Sequence, residues 1–176
     1  MKKKTLVLLW VSLFLWSAAA LAQTGSIQVY FSPNGGCTDA ILQQINHAKT
    51  EILIQAYSFT SKPIARALIA AQKRGVRITA VLDKSNWTQK YSAATFLKNV
   101  GIPVYIDDKH AIAHNKIMII DNRVVITGSF NFTMAAETKN AENLLIIEDR
   151  PDLTRAYREN FQKHLRHSVA YRPMEE

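Results

Sequence analysis

The stretch AHNKIMIIDNRVVITGSFN, residues 113–131, decides how this chain is read. Two runs of mostly aliphatic residues, Ala113 to Ile120 and Val124 to Ser129, flank Asp121-Asn122-Arg123. Apolar runs of that length around an Asp-Asn turn predict a β-hairpin. Residues two apart on a strand face one way, so His114 and Lys116 project together. If the loop is Asp121-Asn122 and Ile120 pairs with Arg123, His114 falls opposite Ser129 and Lys116 opposite Thr127. Paired residues share a face, and Asn131 joins them if the strand geometry persists. A three-residue loop spoils that alignment. On the two-residue reading, one surface carries an imidazole, an ammonium, a hydroxyl and a carboxamide. Such a set suits a phosphodiester: the imidazole can attack phosphorus or move a proton, and the others can donate hydrogen bonds as charge develops on oxygen. Asp121, in the turn, is expected to bond nearby backbone and hold the hairpin, without touching substrate.

Outward from the hairpin, strands and helices alternate. Ser26 to Phe31, Glu51 to Tyr57, Val76 to Leu82, Ile102 to Ile106 and Leu144 to Glu148 read as strands. Asp39 to Lys49, a segment capped by Ser61 and stopped at Gly75, Tyr91 to Val100, and Asp152 to His167 read as helices. The last of these places Leu153, Ala156, Tyr157, Phe161 and Leu165 on one side. Continuous apolar strands separated by helices predict a single-domain α/β fold: a mixed, largely parallel sheet flanked by helices on both faces. The hairpin occupies its last third. No linker, repeat or low-complexity tract divides the chain.

The N-terminus has the anatomy of a secretory signal peptide over residues 1–22. Lys2, Lys3 and Lys4 precede an uncharged apolar run, and Ala20-Leu21-Ala22 fits a cleavage site before Gln23. Export to the periplasm or beyond is therefore expected. The formal charge of +8 falls to +5 once those three lysines leave with the leader. A basic surface favours polyanions, whether nucleic acid or acidic lipid headgroups. Cys37 is the one cysteine. With no intrachain disulfide possible, it is expected to be buried, and the core must hold the fold by itself.

His114, Lys116, Asp121, Gly128, Ser129 and Asn131 together spell H-x-K-x4-D-x6-G-S-x-N. The chain thereby resembles the phospholipase D superfamily, and its length and leader resemble a small secreted bacterial endonuclease of that family. The resemblance implies that one histidine, His114, is the nucleophile and forms a phosphohistidine. A second histidine, from a second motif, protonates the leaving oxygen and then activates water. It implies that Lys116 and Asn131 hold the phosphate with Ser129 nearby, that Glu142 orients the nucleophile, and that Asp121 and Gly128 are structural. It implies no metal and no cofactor. His47, His110, His164 and His167 lack a lysine two residues on, so this chain has one motif. A two-histidine reaction then requires a homodimer sharing one site.

Other candidates are weaker. His110 and His114 are four apart, a spacing that suits metal binding on a helix, whereas the segment reads as strand. His164 and His167 are helix neighbours without a nearby Cys or carboxylate in sequence, and read as surface histidines. Trp87, within the basic and aromatic segment Lys84 to Tyr91, either stacks on a nucleic-acid base or packs inward. Three functions follow: a metal-independent, sequence-nonspecific endonuclease acting on DNA or RNA; a lipid phosphodiesterase; or a non-catalytic DNA-binding protein.

Overall fold

The computed structural model describes residues 25–89 and 92–173. The leader expected over residues 1–22 lies outside them. In chain order the strands are β1 (Ser26–Ser32), β2 (Glu51–Ala56), β3 (Arg77–Asp83), β4 (Val104–Asp107), β5 (Lys116–Ile120), β6 (Val124–Gly128), β7 (Glu142–Glu148) and β8 (Val169–Ala170). The helices are α1 (Cys37–His47), α2 (Lys62–Lys73), α3 (Ala93–Asn99), α4 (Met134–Thr138) and α5 (Pro151–His167), with a 3-10 turn at Lys84–Trp87. All eight strands join one sheet, ordered β1-β7-β6-β5-β2-β3-β4-β8.

The mixed α/β sheet between helices is as the sequence predicts, but its parallel share is smaller. Parallel pairing is confined to β2-β3 and β3-β4. The other five pairings are antiparallel. The cause is in the connections. Parallel neighbours need a long crossover, and α2 and α3 provide one each. The last third instead offers a tight hairpin and the five-residue α4, so its strands return antiparallel.

Side-chain alternation divides the core between the two faces. On one face α1, α2 and α3 bury Ile41, Ile45, Ile64, Leu68 and Leu97 against Ile52, Ile54, Leu82, Met118 and Ile126. Cys37 is buried in this layer and unpaired. On the other face α5 seats Phe161 among Leu53, Val81, Ile117 and Ile119, a burial that stabilises by roughly 1.5–3 kcal/mol. α5 leaves the β1-β7 side of that face open. Ile27, Val29 and Phe31 are 56, 52 and 63% exposed there.

The hairpin register departs from the two-residue reading. Arg123 N–H does donate to Ile120 O (2.9 Å), across Asp121 and Asn122, which take left-handed φ of 53° and 52°. Pairing resumes one residue later, with Ile120 opposite Val124 and Met118 opposite Ile126. Arg123 is drawn out of the ladder: its guanidinium grips Asp149 at 2.6 and 2.9 Å, and its carbonyl accepts from Asp149 N–H. That register sets Lys116 toward Gly128 instead of Thr127, and takes Ser129 off the face predicted for it.

Asp121 supports the hairpin, as expected, but through a neighbour in space and not in sequence. Its carboxylate accepts from the N–H groups of Lys49, Thr50 and Glu51 and from Thr50 Oγ1, at 2.8–3.0 Å. The turn is thus tied to the start of β2. Burial raises the pKa of this carboxyl, but the bonds from Glu51, Thr50 and Lys49 prevail and lower it. Because the folded-state value is depressed, its stabilisation is present above the ordinary Asp range and is lost as pH falls through the folded value. Asp121→Ala should lower unfolding free energy by roughly 2–3 kcal/mol in urea at neutral pH, with the difference from wild type shrinking in acid. An unchanged midpoint would refute this tie.

Candidate active site

The strands that carry the motif meet at one edge of the sheet. β2, β3 and β4 end there at Ala56, Asp83 and Asp107, β6 ends at Gly128, and β5 and β7 begin at Lys116 and Glu142. In α/β sheets, ligands bind beyond the carboxyl ends of parallel strands.

His114 sits just before β5 with its ring exposed. The Tyr57 ring lies 4.6 Å from it, centroid to centroid, tilted by 52°. Tyr57 N–H donates to Asn115 O (2.7 Å), and Asn115 Oδ1 accepts from the buried Gln55 at 3.0 Å. These contacts fix the backbone immediately after His114. Lys116 is buried. Its Nζ donates to His114 O at 2.8 Å and stands 5.0 Å from the Tyr57 ring centroid. Burial lowers its pKa, and the negative charge of Glu142 acts in the opposite sense. His114, Asn115, Lys116, Thr127, Gly128 and Tyr157 line an open cavity of about 440 Å³.

The segment after β6 continues from Gly128, the last residue of that strand to line the cavity. Phe130 and Phe132 are fully buried, and Phe132 bridges Phe59 beyond β2. Between these anchors, Asn131 holds a buried Oδ1 with no hydrogen-bond partner. A buried amide left unsatisfied is costly and marks a place where a ligand can supply the missing bond. Ser129 turns to Asn143: its Oγ accepts from Asn143 N–H at 3.0 Å, and its own N–H donates to Asn143 O at 3.1 Å. Gly128 makes this approach possible. Its φ is +141°, and an added Cβ would lie 2.3 Å from Asn143 O.

The chain matches the family described as "Cardiolipin synthase, PLD-like domain" over residues 41–165. It belongs to the phospholipase D superfamily. It is 47% identical over 136 residues to a "Phospholipase D" of Rickettsia prowazekii, covering 77% of this chain and 66% of that one. A "Mitochondrial cardiolipin hydrolase" of Xenopus tropicalis is 30% identical over 123 residues, 70% of this chain and 58% of that one. Among solved structures, the phospholipase D family member Nuc of Salmonella typhimurium aligns with TM-score 0.80 and 43% identity, over 84% of this chain and 99% of that one. NucT from Helicobacter pylori aligns with TM-score 0.77 and 25% identity, over 84% and 99%. The chain thus spans about two thirds of the length of the Rickettsia relative.

Within this superfamily frame, Lys116 and Glu142 occupy the same end of the sheet, and their charges interact. The Glu142 carboxylate accepts from Asn140 Nδ2 (3.1 Å), and not from His114 of the same chain. Trp87 ends the 3-10 turn, partly buried, and packs against the main core. Tyr57, Gln55 and Asn143 are site residues that sequence reading missed. A glutamine inside the apolar run EILIQA was the available sign for Gln55; Asn143 had none.

Sequence reading also places His164 and His167 on the surface, and the structure corrects this. Both turn inward from α5 to Asp107, with side chains 12 and 27% exposed. No sequence spacing links that carboxylate to them, 57 residues ahead of His164.

Gly128→Ala tests the corner at Asn143. The left-handed backbone alone should cost about 1–3 kcal/mol, and the clash adds to it, so thermal stability and turnover should fall together. A variant as stable and active as wild type would show that the close approach is dispensable.

Proposed function

We propose that this chain hydrolyses phosphodiesters through His114, in a site completed by His114 of a second copy. The observation that carries this reading is an exposed imidazole beside a buried ammonium at the mouth of an open cavity. The superfamily resemblance supplies the course. A ring nitrogen of one His114 attacks phosphorus as the ester P–O bond breaks, and the second His114 gives its proton to the departing oxygen. The second imidazole then takes a proton from water, whose oxygen attacks phosphorus and breaks the P–N bond. The two rings must differ in protonation and titrate as a coupled pair.

The remaining polar groups have defined parts. An ammonium has three N–H donors, and His114 O takes one from Lys116. The others are left for non-bridging oxygens, where fixed donors stabilise developing charge. The Nδ2 of the Asn131 amide is the second such donor, while its unpartnered Oδ1 can only accept. Ser129, engaged with Asn143, holds the segment that carries Asn131 in place.

The need for a second copy has support in the open side of the sheet. Val29 pairs with Leu145, and Leu145 with Thr127, which lines the cavity. An exposed apolar stripe on β1 therefore runs up to the catalytic edge. Such stripes mark interaction surfaces, and two-fold pairing is the commonest assembly. Packing there would cover Ile27, Val29 and Phe31 and bring the second His114 toward the first.

For substrate, the basic exported chain expected from sequence favours a nucleic-acid backbone cut without sequence preference. No helix among the described residues is long and apolar enough to cross a membrane. A second reading, a lipid headgroup diester, is favoured by the names of the relatives, "Phospholipase D" and "Mitochondrial cardiolipin hydrolase". Purified protein offered plasmid DNA and phosphatidylcholine vesicles, each in chelator, separates them. Nicking is expected. Choline release without nicking would transfer the activity to lipid, and neither product would overturn the phosphodiesterase reading. His114→Ala, at an exposed position, should stay folded and lose turnover on the order of 10,000-fold or more.

A further inference from the structure

A second cluster of reactive side chains stands apart from the His114 cavity, at the end of β4. Asp107 is fully buried, and three imidazoles converge on its Oδ2: His164 Nδ1 at 2.6 Å, His110 Nδ1 at 3.0 Å and His167 Nε2 at 3.2 Å. The rings are 4.8–5.3 Å apart, centroid to centroid. One ligand atom from each of the four residues lies within 4.8 Å of every other.

Two details point beyond a polar lock between helix and strand. His167 Nε2 is buried and stands 3.2 Å from Asp107 Oδ2, outside hydrogen-bond geometry. A buried ring nitrogen so poorly aligned with its carboxylate, beside two more imidazoles, can turn a lone pair to a cation. The spacing also fits a metal shell. Bonds of about 2.0–2.1 Å in a tetrahedron put neighbouring ligand atoms roughly 3.3 Å apart, so the Asp107 contacts at 2.6–3.2 Å would open slightly and the widest separations in the cluster, up to 4.8 Å, would close around the ion.

We propose that Asp107, His110, His164 and His167 bind one divalent transition-metal ion of the zinc class. Imidazole nitrogen with a single carboxylate suits zinc. Four protein ligands close a tetrahedral shell and leave no position for water, which makes the site structural. Each ligand has a fixed backbone. His164 and His167 are i,i+3 neighbours in the last turn of α5, and therefore share a face. Asp107 closes β4, its Oδ1 accepting from Lys109 N–H. Lys84 Nζ holds the carbonyl of His110 at 3.0 Å.

The ion would join α5, the end of β4 and the loop that leads into β5. That loop is held at its far end by the buried Asp83, whose Oδ2 accepts from Ala113 N–H at 2.7 Å. His114 follows at once. Metal binding would thus stiffen the approach to the nucleophile without entering the reaction, and the site is independent of the function proposed above.

Calorimetric titration of the chelator-stripped full chain with Zn²⁺ tests the site. One ion per chain and a raised melting temperature are expected. The paired substitution His164→Gln and His167→Gln should weaken binding by more than the 10–100-fold that loss of an outer-shell partner typically costs, while His114→Gln should leave it intact. Absence of stoichiometric binding, binding unchanged in the paired variant, or binding lost with His114 would each overturn the proposal. Should the paired variant fail to fold, histidine ring nitrogen shifts of the wild type decide. Zinc should move those of His110, His164 and His167; shifts confined to His47 and His114 would contradict it.

Discussion

The carboxylate of Asp121 holds the hairpin in place, although it lies at the end opposite the chemistry. Its four hydrogen bonds to residues 49–51 pin the turn to β2. With the turn fixed, Met118 must pair with Ile126, and Lys116 runs toward Gly128 at the far edge. A slip of one residue would exchange the two faces of β5, turning Lys116 away from Tyr57 and putting Met118 outside the main core. The position of His114, the proposed nucleophile, is therefore set by a turn at the other end of the strand that follows it.

At the catalytic edge, rigidity and openness are divided between residues. Lys116, Phe130 and Phe132 are buried and cannot wander. Gln55, Asn115 and Tyr57 brace the backbone immediately after His114, while its ring stays exposed. A buried ammonium is costly unless charge or hydrogen bonds compensate. Here a carbonyl, an aromatic face and the field of Glu142 do so in part, which leaves Lys116 short of a strong anionic partner, as its proposed part in holding a phosphate requires.

Much of this was legible in the sequence, for physical reasons that differ by element. The apolar runs at Glu51–Ala56 and Arg77–Asp83 are strands because each is buried on both sides, and α5 announces itself by the spacing of Tyr157, Phe161 and Leu165. Period-two alternation put the His114 and Lys116 side chains on one strand face, whereas β5 begins at Lys116 and the contact found runs from Lys116 Nζ to the His114 carbonyl. The bulge at Arg123 was hidden, because it depends on Asp149, 26 residues later in the chain. The antiparallel return of β7, the Ser129–Asn143 exchange and the ring of histidines about Asp107 were hidden likewise: each pairs residues far apart in sequence whose types have no distinctive local spacing. Contacts along one strand or helix leave a periodic trace, whereas contacts across the sheet do not.

The sharing of one site by two chains is tested most directly with hybrid assemblies. Wild-type and His114→Ala chains carrying different tags can be mixed, exchanged and purified by both tags in sequence. A hybrid holds a single His114, so it should hydrolyse a diester no faster than the pure His114→Ala protein. A hybrid that turns over at half the wild-type rate would mean that each chain works alone, and would contradict the shared site.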